Sequence, residues 1–426
     1  MPELWNAPMR SEPVHAQIRI PGSKSLTNRW LILASLTNGE CRINHPLQAR
    51  DTLLMAQAIS ALGSSVEIND DAFVVTPGQA QSSTEIDCGL AGTVMRFVPP
   101  IAALTSVDVR FDGDPHARVR PMQQIISSLR DLDVEIRDDG RGTLPFTIAG
   151  KGFVPGGAVT IDASASSQFV SALLLAGCRF DDGVTITHSG TALPSLPHID
   201  MSVEVLRELG IRVDVDIVNQ ANASWVVHPG IPQPFNVTVE PDLSNAAPFL
   251  AAALVCGGSV TIPDWPETTT QAGNLLLSLL PQLGATVSHS GHDLTVTGTG
   301  EITGLDVDLT EAGELTPVIA ALCALAQTPS MLRGIAHLRG HETDRLAALT
   351  TEISKLGGDI TETPDGLSIK PAKLHGGSFG TYSDHRMAMA GAVIGLAVPD
   401  VVIEDIATTS KTLPEFASMW HAMVTA

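Results

Sequence analysis

One pattern of secondary structure recurs six times along this 426-residue chain and limits the folds that it can adopt. In each copy, a polar cluster leads into a helix of small apolar residues, and a turn then leads into a short apolar strand. These strands are centred near, or end at, positions 43, 109, 186, 260, 332 and 402, so the successive gaps are 66, 77, 74, 72 and 70 residues. So steady a spacing indicates an internal repeat of one supersecondary unit. The predicted strands are Cys41–Ile43, Val107–Val109, Val184–Ile186, Val260–Ile262, Met331–Arg333 and Val401–Ile403.

A second helix in each unit ends at a Leu-Gly turn that leads into two more strands. In the first unit, Leu62-Gly63 precedes Val66–Ile68 and Phe73–Val75. Glycine is the usual left-handed residue after a helix, and alternating apolar residues are typical of half-buried strands. With one further short strand, each unit becomes β-α-β-α-β-β, which predicts an α/β fold made of six such repeats.

The two chain ends are predicted to complete one lobe of this fold. The sixth unit has a last helix at Leu413–Val424 but no closing strands, whereas His15–Ile20 is a strand without a unit. Joining them predicts one lobe over residues 21–234 and a second lobe from 1–20 with 235–426. Two lobes joined by two crossings predict a cleft that opens and closes. Three prolines mark the return crossing, as is common in linkers: Pro229, Pro232 and Pro234.

The charge balance restricts the class of ligand. Twenty-five basic residues against 46 acidic residues give a net charge of −21, which repels nucleic acid and anionic membranes. No Lys or Arg occurs between Arg212 and Arg333. An anionic substrate therefore requires a local group of cations, and the positions of the few basic residues become informative.

Several features favour a cytoplasmic protein. The first 20 residues lack the pattern of a signal peptide. The longest apolar helical stretches, Ala246–Cys256 and Leu315–Ala326, are too short to span a bilayer. The five cysteines are scattered and form no C-x-x-C pair, which favours reduced thiols over a metal site or a disulfide framework.

The polar clusters are expected at the starts of the apolar helices, where unpaired backbone N–H groups and a partial positive charge suit anions. Simple N-capping explains any one cluster, because Ser, Thr, Asp and Asn are favoured caps. It does not explain why cations accompany three of the starts, where they are unfavourable without an anionic partner. These cations are Lys24, Arg29, Arg96 and Arg386, in the clusters 22–29, 89–96 and 383–386; the others are 164–168, 242–245 and 311–314.

Around Gly22, a nucleotide-binding P-loop is disfavoured. The glycine expected five residues earlier is absent, and Ser23 precedes Lys24 where that motif has glycine. A kinase or ATPase is therefore a poor interpretation of this segment.

Seven motifs, in order from residue 20 to residue 415, resemble those of the 5-enolpyruvylshikimate-3-phosphate synthase family. They are Gly22-Ser23-Lys24-Ser25 with Asn28-Arg29, Ala91-Gly92-Thr93 with Arg96, Arg120-Pro121, Ser166-Ser167-Gln168-Phe169, Glu342-Thr343-Asp344-Arg345, Asp384-His385-Arg386-Met387 and Ser410-Lys411-Thr412. The resemblance implies the two-lobed enolpyruvyl transferase fold, an inside-out α/β barrel with three β-α-β-α-β-β units per lobe.

The resemblance also implies a reaction. The carboxyvinyl group of phosphoenolpyruvate is transferred to the 5-hydroxyl of shikimate 3-phosphate by addition and elimination, with release of phosphate. This step of the shikimate pathway leads to chorismate and the aromatic amino acids. Both substrates are polyanions, and the chemistry needs no redox cofactor, nucleotide or metal. A monomer is expected.

The implied roles cover most of the basic residues in the motifs. Phosphoenolpyruvate would be held by Lys24, Gly92, Arg120, Gln168, Arg345, Arg386 and Lys411. Shikimate 3-phosphate would be held by Lys24, Ser25, Arg29, Ser166, Ser167, Gln168, Ser195, Glu314, His337 and His341. The catalytic residues would be Glu314 as base, Glu342 as proton donor, Lys24 and His341, with Thr93, Arg96 and His385 in support.

In four places this chain departs from the usual family pattern. Glu314 stands where Asp is usual, His341 where Lys is usual, His337 where Asn is usual, and Leu90 replaces an Asn. A histidine can be neutral near pH 7 and act as a base, so both Glu314 and His341 are candidates for taking the hydroxyl proton. Gly92 leaves room for glyphosate, which mimics phosphoenolpyruvate in this family, so sensitivity to this inhibitor is expected.

Two alternatives compete with this interpretation. The related enzyme that acts on UDP-N-acetylglucosamine usually carries a cysteine acid in the loop before its Arg-Pro pair, but the loop Asp112–Pro121 has His116 and no cysteine. Lys24 is also followed by Ser where that enzyme has Asn. A non-catalytic repeat protein that binds anionic metabolites is the other alternative, and the full set of acids and bases argues against it.

Overall fold

The computed structural model describes residues 4–219 and 221–425, which form two compact lobes. Lobe A spans Gly22–Val239, and lobe B combines the residues before Gly22 with those after Val239. The sequence places the return crossing at 234/235, before the strand Asn236–Thr238. Lobe A extends past this strand because it pairs in parallel with Cys41–Asn44.

Twelve α-helices lie in the described residues. They are α1 (Lys24–Leu36), α2 (Arg50–Ala61), α3 (Gly92–Ala102), α4 (Gln123–Asp131), α5 (Gln168–Gly177), α6 (Leu196–Glu208), α7 (Leu243–Cys256), α8 (Leu276–Gln282), α9 (Thr316–Ala324), α10 (Arg345–Lys355), α11 (His385–Gly395) and α12 (Phe416–Thr425). Short 3-10 turns occur at Ala117–Val119, Ala272–Leu275, Gly313–Leu315, Ala336–Gly340 and Ile406–Lys411.

The described strands are short and number 23. They are β1 (Leu4–Asn6), β2 (Val14–Gln17), β3 (Cys41–Asn44), β4 (Ser65–Ile68), β5 (Ala72–Thr76), β6 (Thr84–Asp87), β7 (Asp108–Asp112), β8 (Glu135–Arg137), β9 (Phe146–Ala149), β10 (Gly157–Ile161), β11 (Val184–His188), β12 (Val213–Asn219), β13 (Asn222–Val227), β14 (Asn236–Thr238), β15 (Gly258–Ile262), β16 (Thr286–Ser290), β17 (Asp293–Gly298), β18 (Asp306–Asp308), β19 (Ser330–Arg333), β20 (Asp359–Glu362), β21 (Leu367–Lys370), β22 (Gly377–Phe379) and β23 (Val401–Glu404). All six predicted repeat strands are confirmed, although β7 begins one residue after Val107.

Each lobe contains three small sheets, and each sheet has one parallel pair of strands. The strand orders in lobe A are β14-β3-β5-β4, β6-β7-β9-β8 and β10-β11-β13-β12. Those in lobe B are β16-β17-β15-β2, β18-β19-β21-β20 and β1-β23-β22. In four of these sheets, a central helix connects the two parallel strands, for example β6, α3 and β7. The fold is therefore the predicted α/β arrangement of six repeats, three to a lobe.

The N-terminal strand predicted to complete the sixth unit belongs to a different unit, so this prediction was wrong. The segment predicted at His15–Ile20 forms β2, which pairs in parallel with β15 in the fourth unit and does not close the sixth. The sixth unit is instead joined by β1, which pairs antiparallel with β23. The last helix begins at Phe416 because Pro414 lies just before it and cannot continue a helix from Leu413.

A separate hydrophobic core fills each lobe. The central helices α5, α9 and α11 are buried along nearly their whole length, which explains why their sequences are small and apolar on all sides. Gly177 allows a close helix–strand contact, because a methyl group on its α-carbon would lie 2.3 Å from Cγ1 of Val184. Among the described residues, none of the helices has both the length and the apolar character needed to cross a membrane.

Candidate active site

Three central helices of lobe A begin at residues that the sequence analysis assigned to the site. Lys24 is the first residue of α1, Gly92 the first of α3, and Gln168 the first of α5. Ser23 caps α1 by accepting from the N–H of Leu26 at 3.4 Å. Ala91 precedes α3 and has no polar side chain, so the first N–H groups of this helix remain suited to a ligand.

Polar side chains from three elements meet beside Gly92. A methyl group on its α-carbon would lie 2.8 Å from Nη1 of Arg96, 3.0 Å from Oε1 of Gln168 and 3.1 Å from Nη2 of Arg120. Arg96 donates to Gln168 at 2.7 Å, and Arg120 donates to the carbonyl oxygen of Leu90 at 3.1 Å. The absence of a Cβ at Gly92 therefore allows these three groups to approach the start of α3 closely.

Arg96 is a buried cation of lobe A. Its side chain is 3% exposed and lies over the ring of Phe169, with Cζ 5.2 Å from the ring centroid. Burial, reinforced by the neighbouring Arg120, holds the pKa of Arg96 well below its usual range. Among the described residues, no carboxylate forms an ion pair with Arg96, and its buried Nε makes no hydrogen bond. The close approach of the Arg96 and Arg120 guanidinium groups, two like charges, favours a bound anion between them and solvent.

Lys24 and Arg29 on α1 have different surroundings. Nζ of Lys24 lies 3.3 Å from Oδ2 of Asp51, a buried carboxylate that the sequence analysis missed. Arg29 is 1% exposed and donates to Oγ of Ser202 at 2.8 Å and to the carbonyl oxygen of His198 at 2.6 Å. Burial lowers the pKa of Arg29 to about 9. Arg29 therefore connects α1 to α6 inside the lobe, a role that the family motif alone does not reveal.

Four serines and one threonine of the predicted set also lie at or near helix starts in lobe A. Ser25 lies in the first turn of α1, and Ser166 and Ser167 directly precede α5. Ser195 precedes α6 in a left-handed conformation, with φ of 54°. Thr93, in the first turn of α3, accepts a hydrogen bond from Nδ2 of Asn28 at 2.7 Å. The serine hydroxyls of Ser167 and Ser195 do not cap the helices that follow them.

In lobe B, a buried ion-pair network joins three of the predicted motifs. Arg345 makes a two-pronged contact with Asp384, from Nε at 2.7 Å and from Nη2 at 3.2 Å. Nζ of Lys411 lies 2.7 Å from Oε1 of Glu342, and Nδ1 of His385 lies 3.3 Å from Oε2. These side chains are all at most 12% exposed. The structure therefore brings Arg345, His385 and Lys411 together around Glu342. It adds a second carboxylate, Asp384, to which the sequence had assigned no role.

Asp384 also orders the start of α11. It caps this helix by accepting from the N–H of Arg386 at 2.9 Å. The side chain of Arg386 is directed to the carbonyl oxygen of Ser244, to which Nη1 donates at 2.9 Å. Ser244 lies in the first turn of α7, so the starts of α7 and α11 are connected through one guanidinium.

Glu342 is an ionised carboxylate in this environment. Burial alone would raise its pKa, but the charge of Lys411, the hydrogen bond from His385 and the charge of the nearby Arg345 hold the pKa well below its usual range. A resting carboxylate can accept a proton but has none to donate. The prediction that Glu342 donates a proton therefore requires that it first be protonated.

Glu314, His337 and His341 form a second group in lobe B. Oγ of Ser244 donates to Oε1 of Glu314 at 3.4 Å. The rings of His337 and His341 are 5.6 Å apart, edge to face. A methyl group on Gly313 would lie 2.7 Å from Nε2 of His337, so this histidine packs directly against the backbone that carries Glu314. Burial lowers the pKa of His337 to about 4, so it is neutral at pH 7.

A metal ion fits poorly in the ion-pair network. Glu342, Asp384 and His385 offer ligand atoms within 4.8 Å of one another. However, both carboxylates already contact cations, Lys411 in one case and Arg345 in the other. An added cation would meet two like charges at short range, so this group suits anions.

The cavity of about 470 Å³ in lobe A lies away from these side chains. Leu36, Leu62 and Ile101 line it, and they mark the C-terminal ends of α1, α2 and α3. Lys24 and Gly92 stand at the opposite ends of α1 and α3. This cavity therefore has no part in the group of residues described above.

Acidification is expected to destabilise lobe B through its buried histidines. Burial lowers the pKa of His337 and of His385 from 6.5 to about 4, so both are neutral when folded and become protonated more readily when unfolded. Between pH 6.5 and pH 4 the unfolded state binds more protons, so stability falls as the pH falls, by an amount on the order of 2–3 kcal/mol for each fully shifted histidine. Urea unfolding followed at pH 7 and pH 5 measures this loss.

Two variants distinguish the effect of these buried histidines on the unfolding free energy from the effect of other titrating groups. H337N is expected to reduce the difference in unfolding free energy between the two pH values. H289Q removes an exposed histidine on β16 and is expected to leave the difference unchanged. Equal unfolding free energies of the wild type at pH 7 and pH 5 would contradict the prediction.

The sequence of this chain matches one known protein family over nearly its whole length. The family described as EPSP synthase (3-phosphoshikimate 1-carboxyvinyltransferase) matches residues 9–420. The chain belongs to the EPSP synthase family. Within this family, a 3-phosphoshikimate 1-carboxyvinyltransferase of Kocuria rhizophila is 55% identical over 437 aligned residues, covering 99% of this chain and 97% of the relative.

Solved structures support the EPSP synthase fold. An EPSP synthase from Acinetobacter baumannii matches with a TM-score of 0.79 and 23% identity, covering 97% of each chain. The enolpyruvyl transferase NikO from Streptomyces tendae matches with a TM-score of 0.74 and 16% identity, covering 97% of this chain and 96% of the other. At these identities the likeness concerns the fold, which is the predicted two-lobed enolpyruvyl transferase fold.

Proposed function

We propose that this chain transfers the carboxyvinyl group of phosphoenolpyruvate to the 5-hydroxyl of shikimate 3-phosphate and releases inorganic phosphate. Membership of the EPSP synthase family supports this reaction. The observation that carries the proposal is the group beside Gly92, where two guanidinium groups converge at the start of a helix. This group suits a small molecule that carries both a phosphate and a carboxylate.

The proposed binding residues are those that the resemblance to the family motifs implies. Phosphoenolpyruvate is held by Lys24, Arg120, Arg345, Arg386 and Lys411, with Gly92 and Gln168 beside it. Shikimate 3-phosphate is held by Lys24, Ser25, Ser166, Ser167, Gln168, Ser195, Glu314, His337 and His341. Arg29 supports it through its contacts between α1 and α6. Thr93, Arg96 and His385 orient these groups.

The reaction has two steps in which every proton has a destination. As the 5-hydroxyl oxygen attacks C2 of phosphoenolpyruvate, its proton passes to Glu314, and Glu342, protonated when the substrate binds, donates a proton to C3, which gives a tetrahedral ketal phosphate. In the second step, the Glu342 carboxylate takes back a proton from C3 while inorganic phosphate leaves C2, which forms the carboxyvinyl ether. The fixed cations stabilise the negative charge that moves between the carboxylate and the phosphate. His341, edge to face with His337, is the alternative acceptor of the hydroxyl proton.

A phosphate-release assay tests this function directly. The protein is mixed with phosphoenolpyruvate and either shikimate 3-phosphate or UDP-N-acetylglucosamine. We expect release with shikimate 3-phosphate alone. Release with the sugar nucleotide alone would reassign the protein to the related transferase, and no release with either would favour a non-catalytic anion-binding protein.

The charge and cysteine pattern of the chain also suggest where and with which partners it works. We infer a cytoplasmic location from the five scattered cysteines, a pattern that favours reduced thiols. We also infer a monomer, without nucleic-acid or membrane partners, because the net charge of −21 disfavours anionic surfaces. Glyphosate, as a small anion with a phosphonate and a carboxylate, is the proposed inhibitor.

The substitution Gly92→Ala is expected to weaken inhibition by glyphosate. The added methyl group lies within 3.1 Å of Arg96, Arg120 and Gln168, which must move away from the ligand space. Crowding of this size reduces binding by about tenfold or more. The measurement is the glyphosate concentration for half inhibition at subsaturating phosphoenolpyruvate. G230A, whose methyl group would lie 3.0 Å from Cδ1 of Ile211, is the matched control. Equal inhibition of G92A and wild type would indicate that glyphosate does not bind beside Gly92.

A further inference from the structure

A buried glutamate on α10 has no role in the reaction described above. Glu352 is 0% exposed and accepts from three donors. The N–H of Gly380 donates to Oε2 at 2.8 Å, the hydroxyl of Tyr382 donates to Oε1 at 2.5 Å, and Nζ of Lys355 lies 2.7 Å from Oε1. Hydrogen bonds to an ionised carboxylate are among the strongest in proteins. Two of the three donors belong to the short segment between β22 and α11.

This segment is held by α10 at two points. Arg345 at the start of α10 grips Asp384 with a two-pronged contact, and Glu352 grips Gly380 and Tyr382. Arg345 and Glu352 are seven residues apart, so they lie on the same face of the helix. The segment from 380 to 384 is therefore fixed against α10 at both of its ends.

Within the segment from 380 to 384, the backbone is strained. Tyr382 and Ser383 both adopt left-handed conformations, with φ of 56° and 57°. Non-glycine residues reach this region at a cost, so two in succession persist only where neighbouring contacts impose them. The ring of Tyr382 is 45% exposed, so burial of the ring does little to hold it in place. Its hydroxyl is held instead by the hydrogen bond to Glu352. Burial of the hydroxyl and the neighbouring Glu352 raise the pKa of Tyr382 to about 12.

The strained turn leads directly into the anion-binding side chains. Asp384 follows Ser383, caps α11 through the N–H of Arg386, and receives the fork of Arg345. The side chain of Arg386 then donates to Ser244. A change in the path of Tyr382 and Ser383 would therefore displace Asp384 and redirect both guanidinium groups.

We propose that Glu352 and Tyr382 are positioning residues for the phosphoenolpyruvate site: they hold the 380–383 turn so that Arg386 and the Arg345–Asp384 pair are presented to the substrate. The inference rests on the proposed function, which assigns Arg345 and Arg386 to phosphoenolpyruvate. Neither Glu352 nor Tyr382 touches the substrate in this account. Their loss is expected to change the affinity for one substrate and to leave the chemical step nearly intact.

The first test is steady-state kinetics of Tyr382→Phe, which removes one hydroxyl and keeps the ring, Gly380 and Lys355. We expect KM for phosphoenolpyruvate to rise about tenfold, the effect of losing one hydrogen bond to a charged group. KM for shikimate 3-phosphate is expected to be unchanged, and kcat to change by less than about twofold. A purely structural defect would instead lower the amount of active enzyme and thus kcat.

Two further variants keep the inference falsifiable. Glu352→Gln is expected to raise KM for phosphoenolpyruvate at least as much, and the double variant is expected to equal E352Q, because both changes break the same contact. Glu404→Gln removes another carboxylate whose charge acts on Tyr382, without a hydrogen bond to the turn, and should behave as wild type. An unchanged KM for phosphoenolpyruvate in Y382F, or the same effect in E404Q, would overturn the inference. An inactive wild-type protein would instead count against the proposed function.

Discussion

Replacing Arg345 with alanine is expected to lower the free energy of unfolding of lobe B by about 3–5 kcal/mol, the usual cost of removing one partner of a buried ion pair. The substitution leaves Asp384, which is 0% exposed, without its two-pronged contact. It also removes a cation from the neighbourhood of Glu342, 3.8 Å away. Urea unfolding measures the change, with the lobe B transition followed separately where the two lobes unfold apart.

A surface arginine of the same lobe provides the control. Arg333 on β19 pairs with Asp306, and both side chains are about half exposed. R333A is therefore expected to change the unfolding free energy by less than about 1 kcal/mol. Similar losses in R345A and R333A would show that the buried network contributes no more than a surface pair, contrary to the prediction.

The conservative substitution Arg345→Lys separates charge from geometry. Lysine keeps the positive charge beside Asp384 but presents a single ammonium group and cannot reproduce the fork. We expect R345K to recover most of the stability that R345A loses. In the proposed reaction it is still expected to bind phosphoenolpyruvate poorly, because the capped start of α11 loses its fixed orientation. Recovery of both properties would indicate that the charge alone is sufficient.

The repeat was accessible from sequence because each unit is a local pattern. Strands such as Val260–Ile262 and Leu-Gly turns such as Leu209-Gly210 signal their structure within a few residues. The pairing of β2 with β15 and of β14 with β3 joins strands far apart in the chain. No local pattern specifies such partners, which is why His15–Ile20 was placed in the wrong unit.

In the candidate site too, features set by neighbouring residues could be predicted from the sequence, whereas contacts between residues far apart in the chain could not. The positions of Lys24, Gly92 and Gln168 at helix starts follow from local caps and glycines. The partners of the charged groups do not, because Asp51 lies 27 residues from Lys24 and Asp384 lies 39 residues from Arg345. These partners decide the protonation states, so the ionised state of Glu342 could not be predicted from the motif that contains it.

Phosphoenolpyruvate binding is expected to be coupled to proton uptake by Glu342. In the ligand-free protein, Lys411 and His385 hold the pKa of this carboxyl well below its usual range. A bound polyanion would share Lys411 and Arg345 and add negative charge nearby, and both effects raise the pKa of Glu342. Glu342 would then take up the proton that it donates to C3 in the proposed reaction.

The substitution Glu342→Gln is therefore expected to lower kcat by a factor of about 10²–10⁴, the usual contribution of a general acid. It is also expected to abolish the proton uptake that accompanies binding of phosphoenolpyruvate to the complex with shikimate 3-phosphate. Titration calorimetry in buffers with different ionisation enthalpies measures this uptake. Glu362→Gln is the matched control, because Glu362 pairs with Arg339 near the surface of the same lobe. A kcat within about threefold of wild type in E342Q would remove Glu342 from the chemical step. Unchanged proton uptake together with a lower kcat would leave it a role in orienting Lys411.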